Sequence, residues 1–96
     1  MTSKYHLEAE AIAHLIEEKQ AAYGDSFGHS GNVMRELYPK GISFGKMDDA
    51  LVVVRVIDKL FRIANRKDYG GESPWRDIMG YALLSLVRDK NDEVTI

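Results

Sequence analysis

The side chains with chemistry to offer fall in three short stretches. In DDALVVVRVIDKLFRIANR, residues 48–66, Arg55, Asp58 and Arg62 are spaced at i, i+3 and i+7, with Lys59 and Asn65 at the edges of the same stripe. On a helix turning about 100° per residue, this spacing gathers two guanidiniums and a carboxylate on one narrow face. Arginine forks grip phosphate oxygens in pairs, and a carboxylate between them can orient an arginine or hold a divalent cation. The second stretch, KQAAYGDSF at 19–27, ends a helical pattern in Lys19 and Tyr23, then turns at Gly24 into Asp25 and Ser26. A helix that merely stops needs one glycine. This one stops into a cluster of donors and acceptors, as the wall of a pocket would. In the third stretch, residues 74–88, Asp77, Tyr81, Leu84 and Arg88 share a stripe, with Gly80 beside it where another helix can approach closely.

Together Lys19, Tyr23, Asp25, Ser26, Arg55, Asp58, Lys59, Arg62, Asp77 and Tyr81 make a candidate electropositive cleft with tyrosine walls, suited to phosphates and a base. Each cluster also has a purely structural use. Lys19 can snorkel from the end of an apolar stripe, Glu8 can meet a cation from another helix, and the arginine stripe can be the one wet face of a buried helix. Asp77 can complement a helix N-terminus without any ligand. His6, His14 and His29 show no metal-ligand spacing, and Trp75 reads as a core or interface anchor.

The elements that must position these groups are helical. From residue 4 to 23, Tyr5, Ile12, Leu15, Ile16, Ala22 and Tyr23 recur at three- and four-residue steps, with Glu8 and Lys19 on the same inward stripe. Residues 24–46 hold five of the eight glycines, which predicts a loop around one short helix at 30–38, capped by Ser30 and ended by Pro39. A central, mostly buried helix is expected at 48–66, and a last one at 74–89 with Ser73 as N-cap and Pro74 at its first position. The final KNDEVTI reads as a frayed tail. The whole, 1–96, is expected to be one all-α domain, a small bundle of three main helices plus one short helix. A chain this short buries only a modest core, so assembly as a homo-oligomer is expected.

The totals narrow the function. A formal charge of −2 and a pI near 5.9 argue against general nucleic-acid binding or an anionic membrane surface. With no cysteine, neither a disulfide framework nor a thiolate zinc site can form, and a reducing cytoplasm is the expected location. The acidic residues of the first helix interrupt the apolar run that a signal peptide needs, so none is expected.

Three ordered segments carry a resemblance: Lys19 with Tyr23-Gly24-Asp25-Ser26-Phe27; then Arg55, Asp58, Lys59 and Arg62; then Asp77-Ile78 with Gly80-Tyr81-Ala82. In this order they resemble the phage and bacterial family called nucleotide modification associated domain 1, and more loosely the MazG-like all-α pyrophosphohydrolases. The first resemblance implies an all-helical phage protein linked to nucleotide metabolism. In the second family, helical carboxylates hold magnesium against a nucleoside triphosphate. Ala22 replaces an aspartate common before the tyrosine, and the acidic segment around Glu72 is short, which argues against carrying catalysis across.

The leading expectation is therefore a phage-type protein that binds a phosphate-bearing nucleotide, without a cofactor, in the host cytoplasm. It would sequester that nucleotide, a host immune signal included, or support nucleotide modification. The second is a magnesium-dependent nucleoside triphosphate pyrophosphohydrolase with Asp58 and Asp77 as metal ligands, helped by Glu8 or Glu72. The third is a non-catalytic helical adaptor whose stripes are only core and interface.

Overall fold

A computed structural model describes residues 3–65 and 71–94. Among them lie four α-helices and one 3₁₀ turn: α1 (Lys4–Tyr23), α2 (Ser26–Leu37), the 3₁₀ turn (Phe44–Lys46), α3 (Met47–Asn65) and α4 (Pro74–Val94). The all-α class follows, as the periodicity predicts.

Helices α1, α2 and α4 each begin where a side chain supplies an acceptor. The Ser3 hydroxyl accepts the His6 N–H at 3.2 Å and caps α1. At the other end Gly24 turns with φ +79°, and its N–H reaches the Gln20 carbonyl at 2.9 Å. Two constraints select glycine here. The left-handed φ penalises any Cβ, and a Cβ would also stand 2.6 Å from the side-chain nitrogen of Asn65.

The short helix starts earlier than expected, at Ser26 rather than Ser30. The Asp25 carboxylate accepts the Gly28 N–H at 3.0 Å and caps the helix there. Ser30 is an internal residue of α2, its hydroxyl donating to the Ser26 carbonyl. Gly28 and Gly31 gave this stretch a loop-like composition; the aspartate cap outweighs their low helix propensity. Pro39 follows the end of α2, as expected. Ser73 accepts the Arg76 N–H at 3.3 Å and starts α4 with Pro74 at its first position. That helix runs on to Val94, past the expected end at 89, so most of the supposed tail is helical.

The hub is α3, which packs against α1, α2, α4 and the 3₁₀ turn. Its seam with α4 is antiparallel, and three polar contacts show the register. Asp49 pairs with Arg88, the Arg55 guanidinium lies 5.7 Å from the centre of the Tyr81 ring, and Lys59 Nζ meets Asp77 at 3.1 Å. Positions rise along α3 as they fall along α4. Asp49 in the first turn of α3 also suits that helix's positive end. Of the stripe expected on α4, Asp77, Tyr81 and Arg88 face α3, whereas Leu84 stays 70% exposed.

Two burial expectations fail. The central helix was expected to be mostly buried, yet the buried hydrophobic side chains among the described residues are Ala50 and Ile57, and Leu51, Val54 and Leu60 are exposed. The α1 stripe was expected to point inward with Glu8 on it, yet every α1 side chain described is exposed. The reason is geometric. A single chain offers α3 as common neighbour for the other helices, and among the described residues no element covers the outer faces of α1 and α4.

Candidate ligand-binding cleft

The turn at Gly24, pressed against Asn65, swings the start of α2 over the middle of α3. There the Ser26 hydroxyl donates to Asp58 Oδ1 at 2.8 Å, tying the first turn of α2 to the fourth turn of α3. The other oxygen of Asp58 faces Arg62 Nε at 3.6 Å. On either side of this tie lies a depression. The first, about 480 Å³, is lined by Ile16, Lys19, Gln20, Gly24, Asp25 and Arg62, along with the residues of the tie and Phe27. The second, about 540 Å³, is lined by Ser30, Val54, Arg55, Lys59 and Tyr81, and again by Ser26, Phe27 and Asp58. Both fall in the size range of small-molecule sites.

Residues distant in sequence meet around this tie. Lys19, Asp25, Ser26, Asp58 and Arg62 line the first depression; Arg55, Lys59 and Tyr81 line the second. Asp77 stands beside them, holding Lys59. Tyr23 ends α1, and its side chain lies outside the described part of the structure.

The pairing pattern divides the cations into two kinds. Lys59, only 13% exposed at its side chain, is fixed by Asp77. Arg62 lies between Asp58 and Glu72, the latter at 3.8 Å. Lys19 and Arg55 form no ion pair with any described carboxylate, and both are solvent-exposed. Arg55 rests on the face of Tyr81, which aims its guanidinium without neutralising it.

The carboxylates are also committed. Asp25 accepts the Gly28 N–H as a cap and takes a further bond from Gln20 at 3.3 Å, so it has structural partners as well as its place on the wall of the first depression. Asp58 and Asp77, the metal ligands of the hydrolase expectation, each face a cation within 4.0 Å. A divalent ion at either would compete with that cation. Glu8 is exposed on α1, and Glu72 pairs with Arg62. Among the described residues no three acidic or histidine side chains converge as a metal-holding group.

The residue that sequence reasoning passed over is Phe27. It lines both depressions and is 96% exposed, an aromatic face in the first turn of α2 with no core to join. A signal was present, because Phe27 closes the YGDSF segment. With the segment read as loop, no helix face could be assigned to it.

Compared with models of known families, with curated proteins and with solved structures, the chain matches none. The resemblance to nucleotide-modification proteins therefore rests on the three segments alone. Among the described residues no helix is long and apolar enough to cross a membrane.

Proposed function

We propose that this protein binds a small phosphate-bearing nucleotide in the paired depressions and holds it intact. Lys19 and Arg55 take phosphate oxygens on opposite sides of the Ser26–Asp58 tie, and the exposed ring of Phe27 receives the base. The support is the pairing pattern. Two cations flank one cleft with no described carboxylate to satisfy them, whereas the acids that could have held magnesium are held by Lys59 and Arg62. A guanidinium docked on an aromatic ring and an ammonium across the cleft form a receptor for a polyanion. Two adjoining depressions suit a ligand with more than one phosphate or more than one base, cyclic oligonucleotides among them. Sequestration of such a nucleotide, as a phage protein would do to a host signal, is the role that fits retention without turnover. Supplying the ligand to a modification enzyme would use the same cleft.

The experiment is a thermal-shift panel of mononucleotides and cyclic oligonucleotides, with and without magnesium, followed by chromatography of the ligand released by heat. Stabilisation with the ligand recovered unchanged supports the proposal. Metal-dependent release of pyrophosphate or monophosphate replaces it with the pyrophosphohydrolase reading. Silence across the panel leaves the adaptor reading in front.

A further inference from the structure

We infer that this chain completes its core with a second copy of itself, packed on the apolar faces of α1 and α4. The seam of α4 with α3 uses Asp77, Tyr81 and Arg88. Trp75, Met79, Leu83 and Leu86 recur at steps of four, four and three on another side of the same helix, and each is more than half exposed. On α1, Tyr5, Ile12, Leu15 and Ile16 form a second apolar stripe, every member at least 48% exposed. A helix with an apolar stripe needs something to bury it against.

The areas decide what kind of partner is missing. The chain exposes 8062 Å² and has a radius of gyration of 17.6 Å, against about 5,600 Å² and about 12.5 Å for a compact monomer of this mass and length. The excess, about 2,500 Å² per chain, matches what one subunit loses at the upper end of permanent interfaces, which bury about 2,000–5,000 Å² in total. A transient partner covering about 800 Å² on this side would leave most of it wet. A copy of the chain brings both stripes to the contact, and an isologous pairing lets each serve twice. Homodimer interfaces are also the most apolar class.

The assembly reaches the cleft. Ile16 belongs both to the α1 stripe and to the first depression, with Lys19 one turn further on, so a copy seated on α1 walls that depression. This last step rests on the cleft reading; the assembly itself does not.

The test uses the full chain without nucleotide. Light scattering behind size exclusion is expected to give twice the 10.9 kDa of one chain. The melting temperature is expected to rise by about 4 °C per tenfold increase in concentration, the slope for two chains of this length unfolding together. Trp75, 62% exposed in the single chain, is expected to emit at short wavelength when the protein is concentrated and to shift red on dilution. Met79→Glu and Leu83→Glu alter side chains exposed in the single chain and are expected to yield smaller species. A monomeric mass, with a cooperative melt and Trp75 emission both independent of concentration, overturns the inference. Should the charged variants fail to fold, the mass and the concentration dependence of the unaltered chain decide it.

Discussion

Replacing Asp58 by asparagine pulls the binding and hydrolysis readings apart, because they predict opposite signs. The amide oxygen of asparagine can still accept the Ser26 hydroxyl, which Asp58 Oδ1 accepts at 2.8 Å, so the tie between α2 and α3 survives. What disappears is one negative charge at the divide between the depressions, and with it the ion pair to Arg62. That pair spans 3.6 Å between side chains 26% and 44% exposed, so its loss destabilises the fold by about 0–1 kcal/mol. The effect on a ligand is larger. A phosphate in either depression, taken at about 6 Å from the carboxylate, is repelled by about 0.7 kcal/mol per unit charge at the dielectric of water. A phosphate carrying one to two charges therefore gains about 0.7–1.4 kcal/mol, a tightening of about threefold to tenfold. Isothermal titration of unaltered and Asp58→Asn proteins with the panel's best ligand measures it, and added salt should shrink the difference. Weaker binding in Asp58→Asn, together with loss of magnesium-dependent turnover, would refute the reasoning and establish Asp58 as a metal ligand.

Arg55→Ala, which removes a charged hydrogen-bond donor, is expected to weaken nucleotide binding by about tenfold to a hundredfold while moving the melting temperature little; a calorimetric titration beside a melt checks both. Lys19→Ala should show the same direction with a flatter salt dependence, measured as the slope of affinity against ionic strength. Phe27→Ala is expected to weaken nucleotides while leaving inorganic pyrophosphate unaffected, so competition between the two reports whether the ring holds a base. Gly24→Ala places a Cβ on a residue with φ +79° and 2.6 Å from the Asn65 amide, which itself donates to the Phe61 carbonyl at 2.9 Å. The left-handed strain and the displaced amide together are expected to destabilise by about 2 kcal/mol, lowering the melting temperature by about 8–16 °C.

The parts of the cleft that lie within one helix were legible because they obey short-range rules. Arg55, Asp58 and Arg62 share a face of α3 as the helical repeat requires, whatever surrounds that helix. Gly24 ends α1 because no other residue takes its φ at so little penalty. Ser73 and Pro74 begin α4 by a cap and a missing N–H that act within one turn. The start of α2 was misplaced for a comparable reason. Two local signals competed there, glycine content and an aspartate cap, and composition alone does not weigh one hydrogen bond against two propensities.

Pairing across the chain was not legible. That Lys59 takes Asp77 while Arg55 takes the Tyr81 ring depends on the antiparallel register of α3 and α4, which joins residues some twenty positions apart. No helical repeat contains that register. Burial was misjudged on the same ground. An apolar stripe states that a face must be covered and not which chain covers it, so Tyr5, Ile12 and Ile16 were expected inside yet stand exposed in the single chain. The sequence alone determined the helices, their ends apart from the start of α2 and the end of α4, and the faces that carry charge, because hydrogen bonds, caps and the 3.6-residue turn act over a few neighbours. The tertiary structure decided which cations are neutralised, that Phe27 overlooks both depressions, and which apolar faces go uncovered, because each depends on how separate helices meet in space.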